Sequence, residues 1–194
     1  MPYEKPKTAR GQQRVDRILD AAAHLIVEDG IDTITTNAIA KRAKTSIGSL
    51  YQFFPNKESV LVALADRYRK SLQTILDKAL EENTESVDFT DLLESIIDNV
   101  VQFQLDNIAF RAIFPPPSSV PADSLFHEIM SRLMDLFSIW APEMSQEDKS
   151  LHAEICLRVM AALLPLTHDQ SEVREEGVRE LKRILRAYLE PLIR

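Results

Sequence analysis

Apolar residues recur along this chain at intervals of three and four, the repeat of helices that bury one face. Val15, Ile18, Leu19, Ala22, Leu25 and Ile26 form the first stripe and predict a helix from Gly11 to Asp29, with Gly30 as a left-handed stop. A longer stripe, Val60, Leu61, Leu64, Tyr68, Leu72, Ile75, Leu76 and Leu80, predicts a helix capped by Asn56 and reaching about Asn83. Leu92, Leu93, Ile96, Ile97, Val100, Val101 and Phe103 follow behind a cap at Asp88 or Thr90. From Ile108 to Phe114 the apolar residues surround the axis, until the prolines at 115–117 and 121 break the pattern. Helices are expected again from Leu125 to Trp140, from Ser145 to Pro165, and from Ser171 to the C-terminus.

Only four glycines occur in 194 residues, and no Asn-Gly, Asp-Gly or Gly-Gly hairpin signal appears. The expected fold is therefore all-α. A short connector from Ile31 to Thr35, with Ile34 buried, and a polar connector from Asn83 to Val87 interrupt the long stripes. The expected division is a small head, residues 1–56, and a larger helical body, residues 57–194. Charge divides the same way. Residues 1–70 carry a net +4 and residues 71–194 a net −11, so a polyanionic partner suits the head alone. One cysteine, Cys156, excludes an internal disulfide and fits a reducing compartment. The apolar runs are too short to span a bilayer, and a cytoplasmic location without membrane attachment is expected.

The stretch from Thr35 to Lys57 stands out. It holds Lys41, Arg42, Lys44 and Lys57 and no Asp or Glu, although the chain has 30 acidic residues. A face pressed on phosphates has reason to exclude carboxylates. Thr35 or Thr36 caps a short helix carrying Ala38, Ile39 and Ala43. Lys44, Thr45 and Ser46 make a turn. A second helix, expected from Ile47 to Phe53, buries Leu50 with Phe54 and presents Ser46, Ile47, Ser49, Tyr51, Gln52 and Phe53. This is the spacing of a helix-turn-helix, about residues 35–54, whose second helix enters a DNA major groove.

The run T-T-x-A-I-A-x-R-A-x-x-S-x-G-S-L-Y-x-F-F-x-N-K-E resembles the DNA-binding head of the tetracycline-repressor (TetR) family, over about residues 10–65. The resemblance implies that Tyr51 and Lys57 hold phosphates, and that Thr36 and Asn37 approach the backbone. Base reading then falls to Ser46, Ile47, Gly48, Ser49, Gln52 and Phe53: Gln52 can pair with adenine, and Ile47 can meet a thymine methyl. Lys44 stands where the family usually has glycine. A positive φ there costs lysine about 1 kcal/mol, against which a phosphate contact is a gain. The N-terminal cations Lys5, Lys7 and Arg10 read either as a second phosphate contact or as an ordinary frayed end.

In the body, Phe103, Phe110, Phe114, Phe126, Met130, Met134, Phe137 and Trp140 form an aromatic- and Met-rich set, with Asn107 beside it to orient a ligand. Each of the apolar residues alone reads as core. As a group, and with the resemblance, they predict a site for a small apolar or aromatic effector. The resemblance also implies a homodimer formed through the two C-terminal helices and bound to a palindromic operator in double-stranded DNA. His152 and Cys156 have metal-ligand spacing but make only half a site, so no metal is expected. No cofactor is expected either. Glycine-rich phosphate loops and nucleophile elbows are absent, which argues against an enzyme. The competing reading is a helical protein-interaction module with a basic head and no specific DNA target.

Overall fold

The computed structural model describes residues 6–82, 88–113, 124–167 and 172–193. Among them the backbone forms helices and turns and no strand. Expectations placed on the connector at 83–87, on the proline loop, on Phe114 and on the start of the last helix at Ser171 lie outside the described residues.

Helix α1 spans Ala9–Asp29, two residues longer at its start than its stripe implies, because Thr8 caps it by accepting from the Gly11 N–H at 3.1 Å. Gly30 closes it at φ 88°, its N–H donating to the Ile26 carbonyl. Helix α2 spans Thr36–Arg42 and is capped by Thr35, which accepts from the Ala38 N–H. Helix α3, Ile47–Tyr51, is shorter than the expected run to Phe53, and Ser46 caps it by accepting from the Ser49 N–H. Helix α4 spans Lys57–Glu82, about 39 Å at 1.5 Å per residue. Asn56 caps it reciprocally: its Oδ1 accepts from the Ser59 N–H at 2.8 Å, while the Ser59 hydroxyl donates to the Asn56 carbonyl.

The chain divides into two compact units, and the division falls inside α4. The first unit is residues 1–69 with 107–115. Its core is built from Ile18, Ile39, Leu50, Phe54, Val60, Leu64 and Tyr68, each at most 1% exposed. Burying side chains of this size contributes roughly 1.5–3 kcal/mol apiece, which is how two helices of seven and five residues, too short to persist alone, are held. The short helix α6, to which Phe110–Ile113 belong, joins this unit: the Phe110 ring meets Tyr68 edge-on, with centroids 5.9 Å apart. Burial raises the Tyr68 pKa.

The second unit holds the rest of α4, helix α5 (Phe89–Asp106), helix α7 (Ser124–Trp140), helix α8 (Gln146–Leu163) and helix α9 (Glu172–Leu189). Leu93, Ile97, Val101, Phe137, Ala153, Cys156, Leu181, Leu185 and Leu189 interlock at its centre. A second cluster joins Leu76, Ala79, Leu92, Ile96 and Leu136. Ion pairs pin the helices at the rim: Lys182 of α9 reaches Asp98 of α5 at 2.8 Å, and Arg132 of α7 reaches Asp77 of α4 at 2.8 Å. Ser145 caps α8 by accepting from the Asp148 N–H and also donates to the Asp148 carboxylate. On α9 the Glu180–Arg183 pair forms, whereas Glu175 and Arg179 close no pair among the described residues.

Candidate nucleic-acid interface

Leu50 is the pivot of the interface. With its side chain fully buried, the five-residue α3 turns its remaining positions outward. Ser46, Ile47, Gly48, Tyr51 and Gln52 are exposed; Thr36, Ser49, Phe53 and Lys57 are half-buried; Asn37 and Lys44 are exposed. A Cβ placed on Gly48 meets nothing within 4 Å, so the helix is open to close approach there.

Tyr51 is 50% exposed, and its hydroxyl lies 3.3 Å from that of Thr36, at the outer edge where α2 and α3 meet. Two adjacent surface hydroxyls are suited to phosphate oxygens. Ser46 donates to Ser49 Oγ at 2.9 Å, which occupies the proton of the capping hydroxyl. Phe53 is less outward than its sequence position implied. Its ring packs near Phe54, centroids 6.5 Å apart, and lies beside Gly11.

Lys44 has φ 51°, the one non-glycine residue in the left-handed region among the described residues. Its N–H donates to the Lys41 carbonyl and the Thr45 N–H to the Ala40 carbonyl, so the turn must reverse at Lys44 to keep both carbonyls satisfied. The side chain stays exposed.

The cations of the acid-free stretch are not equivalent. Arg42 forms a two-toothed pair with Glu28 of α1, Nη2 to Oε1 at 2.7 Å, and this guanidinium holds the Glu28 carboxyl below the usual carboxylate range. The Lys57 ammonium donates to the Asp32 carbonyl at 3.1 Å and the Ile31 carbonyl at 3.4 Å, tying the α1–α2 connector to the start of α4. Lys41 and Lys44 remain exposed with no carboxylate partner among the described residues. Sequence spacing did not reveal these pairings, because their partners lie 14 and 25 residues away.

The expected effector residues are distributed over both units. Asn107 and Phe110 belong to the first unit. Phe137 is 2% exposed in the centre of the second, with Met130 and Met134 packed against the same cluster. Trp140 packs edge-on against both Phe137 and Phe89, and its indole N–H is buried with no acceptor within reach among the described residues. Phe103 is buried; the side chain of Phe126 lies outside the described residues. His152 is engaged by the Tyr188 hydroxyl at 2.6 Å. Burial pushes the Cys156 thiol up to about 12. A separate surface groove of about 210 Å³ lies between α4 and α5, lined by Thr74, Ile75, Lys78, Ser95 and Asn99.

A capped pair of short helices, the second with an open, carboxylate-free outer face, defines a helix-turn-helix DNA-binding regulator. Family comparison agrees. Residues 18–64 match the model for bacterial regulatory proteins of the tetR family, and residues 88–189 match the tetracyclin repressor-like C-terminal domain. The chain belongs to the TetR family, whose members are DNA-binding transcriptional regulators and not enzymes. Among curated relatives, the transcriptional repressor KstR of Mycolicibacterium smegmatis is 32% identical over 68 residues, 35% of this chain and 33% of that protein. The nucleoid occlusion factor SlmA of Actinobacillus pleuropneumoniae is 29% identical over 99 residues, 50% of this chain and 46% of that one. The matched stretch thus spans a third to just under half of these relatives. A TetR-family regulator from Streptomyces coelicolor is 28% identical, with a TM-score of 0.66, over 92% of this chain and 99% of that one. SmeT, the repressor of a Stenotrophomonas maltophilia efflux pump, shares the fold at 19% identity, with a TM-score of 0.72, over 93% of this chain and 90% of its own.

Proposed function

We propose that this protein is a ligand-responsive transcriptional repressor that binds a palindromic operator as a homodimer. The observation that carries the reading is the exposed α3 face, bounded by Tyr51 and Lys44 and free of carboxylates from Thr35 to Lys57. Tyr51, Thr36, Asn37 and Lys44 hold phosphates; Ile47, Gly48, Ser49 and Gln52 read bases, with Ser46 and Phe53 at the margins. Lys57 acts first as a tether for the connector, and its remaining N–H reaches a phosphate.

The dimer forms through α8 and α9. Leu151 at 53% exposure and Ile184 at 37% support this, being large apolar side chains that water does not favour. A two-fold dimer on a palindrome places its heads about 34–36 Å apart, or a multiple of that. An apolar or aromatic effector is supported by the unsatisfied indole N–H of Trp140 beside Phe137, Met130 and Met134. A structural neighbour, SmeT, has been solved as a complex with triclosan. The effector acts by preferring one of two dimer shapes, and α4, continuous from Lys57 to Glu82, carries the difference.

The test is selection of duplexes from a random pool, followed by fluorescence anisotropy on the enriched sequence. The expected result is an inverted repeat bound more tightly than random duplex, weakened by salt, and lost in Tyr51→Phe with Gln52→Ala. Recovery of no enriched duplex overturns the reading and favours the protein-interaction module. Leu151→Glu with Ile184→Glu is expected to give a monomer by sedimentation; an unchanged dimer removes α8 and α9 from the interface.

A further inference from the structure

We infer that Lys7, Arg10 and Arg14 form a second strip of phosphate contacts, continuous with the end of α3, that grips duplex DNA beside the bases read by α3. The assignment presupposes that the head lies on duplex DNA.

The head disposes of its arginines in two ways. Arg42, Arg67 and Arg69 each meet a carboxylate, on Glu28, Asp20 and Asp66 respectively. Arg10, Arg14 and Arg17 meet none among the described residues, and neither does Lys7. The chain carries no Asp or Glu from Lys5 to Val15, and Asp16, the first after it, accepts from Gln12. Lys7, Arg10 and Arg14 follow one another at intervals of three and four, so on α1 Arg10 and Arg14 share a face. An ordinary solvated helix face mixes both signs of charge. This one holds cations alone, in a chain whose overall charge is −7.

Position then matters more than count. A Cβ placed on Gly11 falls 3.1 Å from the Pro6 Cβ, 3.2 Å from the Thr8 hydroxyl and 3.8 Å from the tip of the Phe53 ring. The segment from Pro6 to Thr8 therefore folds back over the first turn of α1, and Gly11 in that turn lies beside the ring of Phe53, the residue that follows Gln52. Lys7 and Arg10 are exposed and Arg14 half-buried, each within one helical turn of Gly11. Side chains of that length, set against the end of the reading helix, reach the backbone rather than the base edges. They fix register and add affinity without adding sequence preference.

The test compares three variants on the selected operator within a longer duplex and on random duplex of equal length. They are Lys7→Ala/Arg10→Ala/Arg14→Ala, Lys41→Ala/Lys44→Ala in the helix-turn-helix, and Lys70→Ala/Lys78→Ala, two exposed cations of α4, as a control for net charge. Each released phosphate contact lowers the slope of log affinity against log salt by about 0.9. The triple variant is expected to lose about 2 to 3 from that slope per head, equally on both duplexes, with thermal unfolding unchanged. Its hydroxyl-radical footprint is expected to shorten at the flanks. The control is expected to keep its slope. A triple variant that retains the wild-type slope while the Lys41/Lys44 variant loses its own overturns the strip and leaves the DNA reading standing. Absence of salt-dependent binding by the wild-type protein overturns both.

Discussion

Lys44 offers the sharpest test of the physical account. It is held at φ 51° because the α2–α3 turn must reverse there. A side chain in that region costs roughly 1–2 kcal/mol. Glycine removes that cost but returns roughly 0.4–1 kcal/mol through the greater freedom of the unfolded chain. The balance makes Lys44→Gly more stable by about 0.8 kcal/mol. With an unfolding entropy of roughly 2.1 cal/mol/K per residue over 194 residues, the melting midpoint rises by about 2 °C. Lys44→Ala keeps a Cβ at the same φ and is expected to melt with the wild type. DNA binding separates the other role of the residue. Both variants remove the same charge, so both are expected to lose about 0.9 from the salt slope per head. Scanning calorimetry and anisotropy titrations at four salt concentrations measure the two effects independently. If the glycine and alanine variants melt together, the turn carries no strain that glycine relieves, and the reasoning is refuted. If neither variant changes the slope, Lys44 touches no phosphate.

Three further outcomes are expected. Gly48→Ala adds a methyl into open space and improves helix propensity by up to about 1 kcal/mol; denaturant unfolding is expected to show a gain while operator binding weakens, because the methyl stands where the groove approaches. Glu28→Gln releases Arg42 from its pair, so non-specific DNA affinity and its salt slope are expected to rise in anisotropy titrations; an unchanged slope means that Arg42 faces no phosphate. Burial pushes the Cys156 thiol from 9.0 up to about 12. A folded-state pKa above the unfolded one gives stability that is complete below pH 9 and lost as pH rises toward 12. Urea unfolding of the wild type at pH 10.5 is therefore expected to show about 2 kcal/mol of loss beyond that of Cys156→Ala, relative to pH 8. Equal losses in the two proteins would place the thiol in contact with water.

Local signals carried far in this chain. Thr35 and Asn56 were readable as caps because a cap is a contact between a side chain and an N–H two or three residues on. The burial of Leu50 and Phe54 followed from the three-and-four repeat. The need for a left-handed residue at Lys44 was visible through a departure from the glycine of the family pattern. These features depend on neighbours within one helical turn, so composition and spacing suffice to find them.

Tertiary packing decided which polar groups are free to act. The acid-free stretch holds four cations, and spacing alone did not separate them by partner: Glu28 takes Arg42 from 14 residues away, and the Asp32 carbonyl takes part of Lys57 from 25 away. His152, a candidate metal ligand by spacing, is occupied by Tyr188 from 36 residues away. The members of the aromatic set have partners their spacing did not name: Phe110 packs on Tyr68 in the first unit, and Phe137 sits at the centre of the second. A helical repeat states which side of a helix turns inward. It does not state which neighbour it meets, because that choice depends on how separate helices fit together across distances the repeat does not encode.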